Sequence, residues 1–235
     1  MKTRFAAILA GMLFAASAQA TVVTFNFTAT ITSVKEMVNP FSGAEVASST
    51  LAGDPVALGH TVRGTFSFDT ATLPTYGGTY DWGTSFIFEA AGDTLNAAQF
   101  AFDQNSIGFS TTGGVPDPRF YHFVEDRPAG NDDALYLSAS ARRSGGTDIM
   151  SLNFEDRDGV AFNGAKLPET LPLAMLESAV FEYDYLGRAA DGSQTYLKAV
   201  GALTSVEQVS SVPEPTTYAM FAAGLTLLAW RRKRG

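Results

Sequence analysis

The sequence contains no cysteine, and this absence excludes several kinds of chemistry. Without thiols there is no disulfide framework, no thiolate nucleophile and no cysteine-ligated zinc or iron-sulfur centre. Only two histidines are present, His60 and His122, and neither belongs to a motif typical of a catalytic triad or a metal-binding pair. We expect each to lie at the surface or at a strand end. Because no Gly-x-Ser-x-Gly motif marks a nucleophilic serine either, the sequence predicts that the protein is not an enzyme.

Positive charge is scarce in the middle of the chain. Six of the 16 lysine and arginine residues lie among the first four and last five positions, whereas of the 24 acidic residues only Glu214 lies beyond residue 211. Residues 21–211 therefore keep ten basic residues against 23 acidic ones, a net charge of −13. A body of this charge repels phosphate groups, so we expect no nucleic-acid partner, whereas it attracts divalent cations.

The N-terminus has the three parts of a secretory signal peptide. Lys2 and Arg4 are followed by an apolar run over residues 5–16 and by small residues at Ala18 and Ala20. The run is shorter than the roughly 20 apolar residues that a transmembrane anchor needs. The pattern predicts cleavage by signal peptidase after Ala20 and export of the body.

The C-terminus combines an extended motif, a short apolar run and a basic tail. Pro213, Glu214 and Pro215 precede an apolar run over residues 216–230, which ends at four basic residues, Arg231, Arg232, Lys233 and Arg234. At about 1.5 Å per residue the run spans about 22 Å, less than a hydrocarbon core of about 30 Å, but Trp230 and the basic side chains can extend it into the interface. We expect a short transmembrane helix with a cytoplasmic tail, which leaves the body on the periplasmic side of the inner membrane.

This order of parts resembles the PEP-CTERM sorting signal, over about the last 25 residues. The resemblance implies recognition by an exosortase, a membrane-embedded protease that removes the tail as the protein reaches the cell surface. It also implies an exopolysaccharide-producing Gram-negative bacterium and a secreted or surface-associated product. The alternative is an uncleaved tail anchor. The resemblance implies nothing about the middle of the chain.

The middle of the chain alternates apolar and polar residues with the period of a half-buried strand. The pattern recurs over residues 22–33, 62–68, 86–90, 98–102, 107–110, 120–125, 135–141, 150–154, 179–185 and 197–203. Turn residues lie between these segments at Gly77-Gly78, Gly113-Gly114, Gly145-Gly146, Asp158-Gly159 and Asp191-Gly192. The sequence predicts an all-β fold, a single antiparallel, jelly-roll-like β-sandwich of about ten strands in two sheets. Only residues 171–178 have a helical pattern.

These features predict five segments along the chain. They are a signal peptide at 1–20, a β-sandwich domain at 21–205, a linker with the Pro-Glu-Pro motif at 206–215, a transmembrane helix at 216–230 and a basic cytoplasmic tail at 231–235.

One acidic loop is a candidate calcium site, and no other cofactor is expected. Asp126, Asp132 and Asp133 lie close in sequence, in a loop that contains Pro128 and Gly130, and calcium prefers several oxygen ligands from such a loop. The alternative is a solvated surface turn. Asp156 and Asp158 form a weaker candidate, because Arg157 and the Asp-Gly pair that follows explain this segment better as a hairpin turn. No strand pattern places two carboxylates on one apolar face, so we expect no catalytic acid pair.

A glycine-rich stretch over residues 74–83 is a candidate carbohydrate contact. Tyr76, Tyr80 and Trp82 could stack their rings on sugars there, although Trp82 could instead close the core. Taken together, the sequence predicts an exported structural or adhesive protein within an exopolysaccharide matrix. The alternative is a carbohydrate-binding module or a polysaccharide-acting enzyme on the same scaffold.

Overall fold

The computed structural model describes most of the body of the chain. The described residues are 22–39, 42–81, 83–91, 96–112, 116–127, 132–159, 161–162, 166–171, 173–189 and 192–209. The predicted signal peptide, the Pro-Glu-Pro motif, the apolar run and the basic tail lie outside them.

The described residues form fourteen strands, and the predicted all-β class is confirmed. The strands are β1 (Val22–Asn39), β2 (Ser42–Glu45), β3 (Ser48–Ser49), β4 (Val56–Ala57), β5 (Thr61–Asp69), β6 (Tyr76–Tyr80), β7 (Gly83–Ala91), β8 (Ala97–Phe102), β9 (Gly108–Ser110), β10 (Arg119–Asp126), β11 (Asp133–Arg143), β12 (Gly146–Asp156), β13 (Ser178–Arg188) and β14 (Gln194–Val209). The predicted helical segment at 171–178 contains only a single 3-10 turn, Leu173–Met175. β13 begins at Ser178, so a helix from residue 171 could not extend beyond residue 177.

Nearly all of these strands belong to one antiparallel sheet. Its order is β6-β7-β10-β11-β12-β13-β14-β1-β5-β8-β9, with β2 paired to β1, while β3 and β4 form a separate pair. The sequence predicted two sheets, whereas the two layers here are parts of one sheet. Register shifts occur at Thr28/Ala29 and Ile31/Ser33, where β1 pairs with β14. Such irregularities bend and twist a strand, so the sheet curls on itself.

Aromatic side chains join the two facing layers. Phe66 of β5 lies 6.0 Å from Phe120 of β10, measured between ring centroids, and these strands are not neighbours in the sheet. Phe100 of β8 lies 5.6 Å from Phe181 and 5.3 Å from Tyr183, both on β13. The inner faces carry the predicted apolar positions, since Val23, Phe25, Phe27, Ala29 and Ile31 are all buried.

The glycine-containing turns are only partly where the sequence predicted them. Gly145, with φ of 95°, lies in the predicted hairpin between β11 and β12. Gly77 and Gly78 lie inside β6 and not in a turn. Asp158-Gly159 closes no hairpin, because β12 and β13 are joined by a connection over residues 157–177. Gly113, Gly114 and Asp191 lie outside the described residues.

The sheet extends beyond the predicted domain boundary at residue 205. Residues 206–209, assigned to the linker from sequence, continue β14 and pair with β1, down to Thr24 opposite Val209. The Thr204 hydroxyl also donates to the Thr28 carbonyl at 3.2 Å. Val206 and Val209 are separated by Glu207 and Gln208, a spacing that lacks the alternation of a strand, so backbone pairing with β1 decides this part of β14. Across the described ranges, no helix is long and apolar enough to cross a membrane.

Candidate functional sites

Two buried carboxylates lie side by side at one end of the core. Asp133, the first residue of β11, is directly opposite Asp156, the last residue of β12, and both are fully buried. Residues opposite each other in an antiparallel pair project from the same face of the sheet. The expectation that no two carboxylates share the inner face is therefore wrong. Both residues stand at strand ends, where a sequence pattern looks like a turn.

Backbone N–H groups hold both carboxylates. One oxygen of Asp133, Oδ1, accepts the Arg127 N–H at 2.6 Å, whereas its Oδ2 is buried with no hydrogen-bond partner. Asp156 accepts from the N–H of Ala161 at 2.6 Å and from that of Asp158 at 3.3 Å. Burial, more than the charges of Asp126 and Asp156, raises the pKa of Asp133.

Two exposed carboxylates complete an acidic cluster around Asp156. Single oxygens of Asp156, Asp158 and Glu177 all lie within 4.8 Å of one another. The Arg157 N–H donates to Oε2 of Glu177 at 2.8 Å, and the Glu177 N–H donates to the Glu155 carbonyl at 3.1 Å. The pKa of Asp158 is raised, first by its side-chain hydrogen bond with Asp156, then by desolvation, and then by the charges of Asp156 and Glu177.

The three acidic residues predicted from the sequence to bind calcium differ in their burial. Asp126 is half-buried at the end of β10, Asp132 is exposed, and Asp133 points into the core. The calcium assignment to these three stays a prediction. Sequence reasoning missed Glu177, because it lies far along the chain from Asp158 and only the 157–177 connection brings them together.

The tyrosines predicted to contact carbohydrate lie on an edge strand. Tyr76 and Tyr80 of β6 are 63% and 50% exposed, and their even spacing places them on one face. Trp82 lies outside the described residues. Tyr76 is opposite Ile87 of β7, Ile87 is opposite Phe123 of β10, and Phe123 is opposite Tyr136 of β11. We call Tyr76, Ile87, Phe123 and Tyr136 the outer aromatic row, after its three aromatic members. It lies on the outer face, since Phe86 and Phe88, which alternate with Ile87, point inward.

Hydrogen-bonding groups flank the outer aromatic row. An open groove next to it is lined by Glu89, Arg119, Tyr121 and Ser138, among others. Tyr121 is 39% exposed, and the Tyr136 hydroxyl lies 2.7 Å from the Ser151 hydroxyl. The sequence did not reveal this row, because its members come from four strands and only the register aligns them.

The two histidines have different environments. His60 is half-buried immediately before β5, as expected for a strand end. His122 is not at the surface, contrary to the prediction. Its fully buried ring packs 5.6 Å from Phe66, 5.7 Å from Phe68 and 6.0 Å from Phe120. Burial lowers the pKa of His122 to about 4, so the ring is neutral at physiological pH.

The described residues thus form an all-β body with two candidate sites, the acidic cluster around Asp156 and the outer aromatic row. The C-terminus matches a known family. The family model of the PEP-CTERM protein-sorting motif matches residues 211–234. Neither a curated protein nor a solved structure matches the chain. The chain therefore carries a PEP-CTERM sorting domain. Proteins with this signal are exported by Gram-negative bacteria and sorted by an exosortase at the C-terminus.

Proposed function

We propose that this protein is a structural or adhesive component of the cell surface or of the exopolysaccharide matrix, delivered there by exosortase processing. The match to the sorting motif at residues 211–234 is the observation that carries the proposal. The all-β body and its net charge of −13 support it, because an acidic body stays soluble outside the cell.

The two ends of the body support processing at one membrane surface. β1 begins at Val22, immediately after the proposed signal-peptide cleavage site at Ala20, and β14 ends at Val209, immediately before the sorting motif. These strands are antiparallel neighbours, with Thr24 opposite Val209. The signal peptide and the sorting signal therefore leave the sheet from the same end. In the proposed topology, the apolar run at 216–230 anchors this end briefly while the body lies in the periplasm.

The sorting motif is tested by replacing Pro213, Glu214 and Pro215 with alanine in the native host. We expect the wild-type protein to be recovered outside the cell with Thr21 at its N-terminus and without Arg231–Arg234. The triple variant should stay in the membrane with a full-length C-terminus. Its body should melt at the wild-type temperature, because the sheet ends at Val209. Intact mass spectrometry of each cell fraction measures the outcome.

A matched control separates loss of the motif from loss of charge. Glu207→Ala removes an exposed carboxylate just before the motif and should leave processing unchanged. Deletion of the host exosortase should reproduce the triple variant. A wild-type protein that keeps its full C-terminus in the membrane would instead establish an uncleaved tail anchor, and the surface-matrix role would be abandoned.

Carbohydrate binding is the second candidate function, and the outer aromatic row favours it. Tyr76 and Tyr80 offer exposed rings, and the Glu89, Tyr121 and Ser138 side chains beside the row offer partners for sugar hydroxyls. Aromatic rings stack on the apolar faces of sugars, while a few polar groups fix the orientation.

Binding is tested by measuring retention on the purified polysaccharide of the host. We expect Tyr76→Ala to weaken retention by about tenfold, which corresponds to about 1.4 kcal/mol. Its melting temperature should change little, because Tyr76 is 63% exposed. Leu186→Ala, on the distant strand β13 and 42% exposed, is the matched control and should bind normally. Equal retention of both variants and wild type would exclude this surface, and release of reducing ends during the same incubation would indicate an enzyme.

A further inference from the structure

β6 forms one edge of the large sheet, and β7 is its only neighbouring strand within the described part of the chain. The two strands pair from Tyr76 opposite Ile87 to Tyr80 opposite Gly83. Alternate residues of an edge strand direct their backbone N–H and C=O groups away from the sheet, where a further strand can pair with them. β6 is therefore a template for a strand from another molecule.

The segment that contains β6 carries no charge. No residue between Asp69 and Asp81 is charged, although residues 21–211 have a net charge of −13. Two copies of so acidic a body repel each other over most of their surface, and they approach most easily where this charge is missing. The charge distribution therefore favours contact between copies at β6.

Other open edges among the described residues are shorter or charged. β9, at the opposite edge of the sheet, has only three residues, and β3 and β4 have two residues each. β2 contains Glu45, which pairs with Lys35 at 3.3 Å, and the part of β14 beyond its pairing with β13 contains Glu207. Short strands and edge charges hinder pairing with another chain, and β6 has neither protection.

Large apolar and aromatic side chains are exposed in and beside β6. Leu73 is 81% exposed, and Tyr76 and Tyr80 are 63% and 50% exposed. These three are among the eight exposed large hydrophobic side chains of the described residues, and they lie close together along the chain. Since burial of such side chains favours association, this segment offers apolar surface next to an open strand edge.

The order of residues in β6 is complementary to itself. When two copies of β6 pair in antiparallel orientation with Gly78 opposite Gly78, each Tyr76 lies opposite Tyr80 of the second copy. Opposite residues project from the same face, and aromatic pairs at such positions stabilise a sheet. We propose that β6 pairs with β6 of a second copy of this chain, so that two sheets join into one across a two-fold axis.

The proposed interface is small, because β6 has only five residues. Specific stable interfaces bury about 1,200–2,000 Å² in total, and two paired strands of this length bury less. We therefore expect a dimer that dissociates at roughly 10–100 µM and that forms at high local concentration. The open edge lies in the plane of the sheet, so this inference does not rest on carbohydrate binding by the outer aromatic row.

The test introduces a charge at Gly78 and measures dimerisation. A Cβ atom added at Gly78 meets only the Tyr80 phenol, at 3.9 Å, and the φ of Gly78 lies outside the left-handed region, so a side chain fits there. Gly77 is unsuitable, because its φ is 133° and an added Cβ atom would collide with the Ser85 carbonyl. We expect Gly78→Lys and Gly78→Glu each to weaken dimerisation by about fivefold or more, since like charges then face each other.

The uncharged variant Gly78→Ser is the matched control and should dimerise as the wild type does. All three variants should melt at the wild-type temperature, because position 78 is open to solvent on the side that a new side chain occupies. Sedimentation velocity of the full-length chains in detergent, over a series of concentrations, measures each equilibrium. Any association through the C-terminal apolar run is common to all samples and does not alter the differences between them.

A mixture of the two charged variants identifies the strand that pairs. Equal amounts of Gly78→Lys and Gly78→Glu should restore the dimer, because opposite charges then face each other across the two-fold axis. A wild type whose association does not change with concentration up to about 1 mM would overturn the proposal. So would an unchanged equilibrium in both charged variants, or no recovery when they are mixed.

Discussion

Replacing Phe100 with alanine should destabilise the protein by about 3–5 kcal/mol, the range for truncation of a buried phenylalanine. Phe100 is 4% exposed and stacks 5.5 Å from Phe109 on the neighbouring strand. Its ring also meets Phe181 and Tyr183 on the opposite layer. The substitution would therefore open a cavity between the two layers, where the curled sheet closes on itself.

The loss is measured as the free energy of unfolding in urea and as the melting temperature, which should fall by roughly 10 °C for a body of this size. Leu186→Ala is the control, since it removes a 42% exposed side chain from β13 and should cost well under 1 kcal/mol. If Phe100→Ala cost no more than Leu186→Ala, the two layers would not be packed through this ring.

The second large effect is a loss of stability in acid that depends on one residue, His122. Burial lowers its pKa in the folded protein to about 4, whereas the unfolded chain has the ordinary value of 6.5. Between pH 6.5 and pH 4, His122 is protonated in the unfolded chain but stays neutral in the folded protein. The free energy of unfolding therefore falls as the pH falls. The difference between the two pKa values of His122 corresponds to a loss of about 3 kcal/mol in the free energy of unfolding, and this loss is complete below pH 4.

His122→Phe should remove this loss, because a phenylalanine ring suits the surroundings of Phe66, Phe68 and Phe120 and has no proton to bind. The measurement is urea unfolding of both proteins between pH 7 and pH 4. His122→Leu serves as a second variant in case the larger ring overpacks the site. A wild-type protein as insensitive to this pH change as both variants would contradict the burial of His122.

Other buried carboxyl groups change the stability with pH in the opposite direction from His122. Their effect is the same in the wild type and in the His122 variants. Burial raises the pKa of Asp133, Asp148 and Asp184, so each of these residues favours the folded state less as the pH rises above 3.8. Hydrogen bonds from the Tyr183 hydroxyl to Asp148, at 2.6 Å, and from the Tyr196 hydroxyl to Asp184, at 2.8 Å, limit that effect. Since the wild type and the His122 variants share these groups, the difference between them reports His122 alone.

The all-β class, most strands and the sorting signal could be predicted from the sequence, because each depends on a pattern of residues that are adjacent along the chain. Alternation along one strand identifies its inner face, as it did for Val23, Phe25 and Phe27. The Pro-Glu-Pro motif, apolar run and basic tail are likewise linear features, and the family model matches them at 211–234.

The candidate sites on the body were decided by the tertiary structure. Asp133 lies opposite Asp156 through strand register, and a connection 21 residues long brings Glu177 to Asp156. Four strands align the outer aromatic row. The burial of His122 follows from the layer that folds over it, and the continuation of β14 to Val209 follows from pairing with β1. Local patterns contain no information on which distant segment becomes a neighbour, since register and the curl of the sheet depend on the packing of the whole chain.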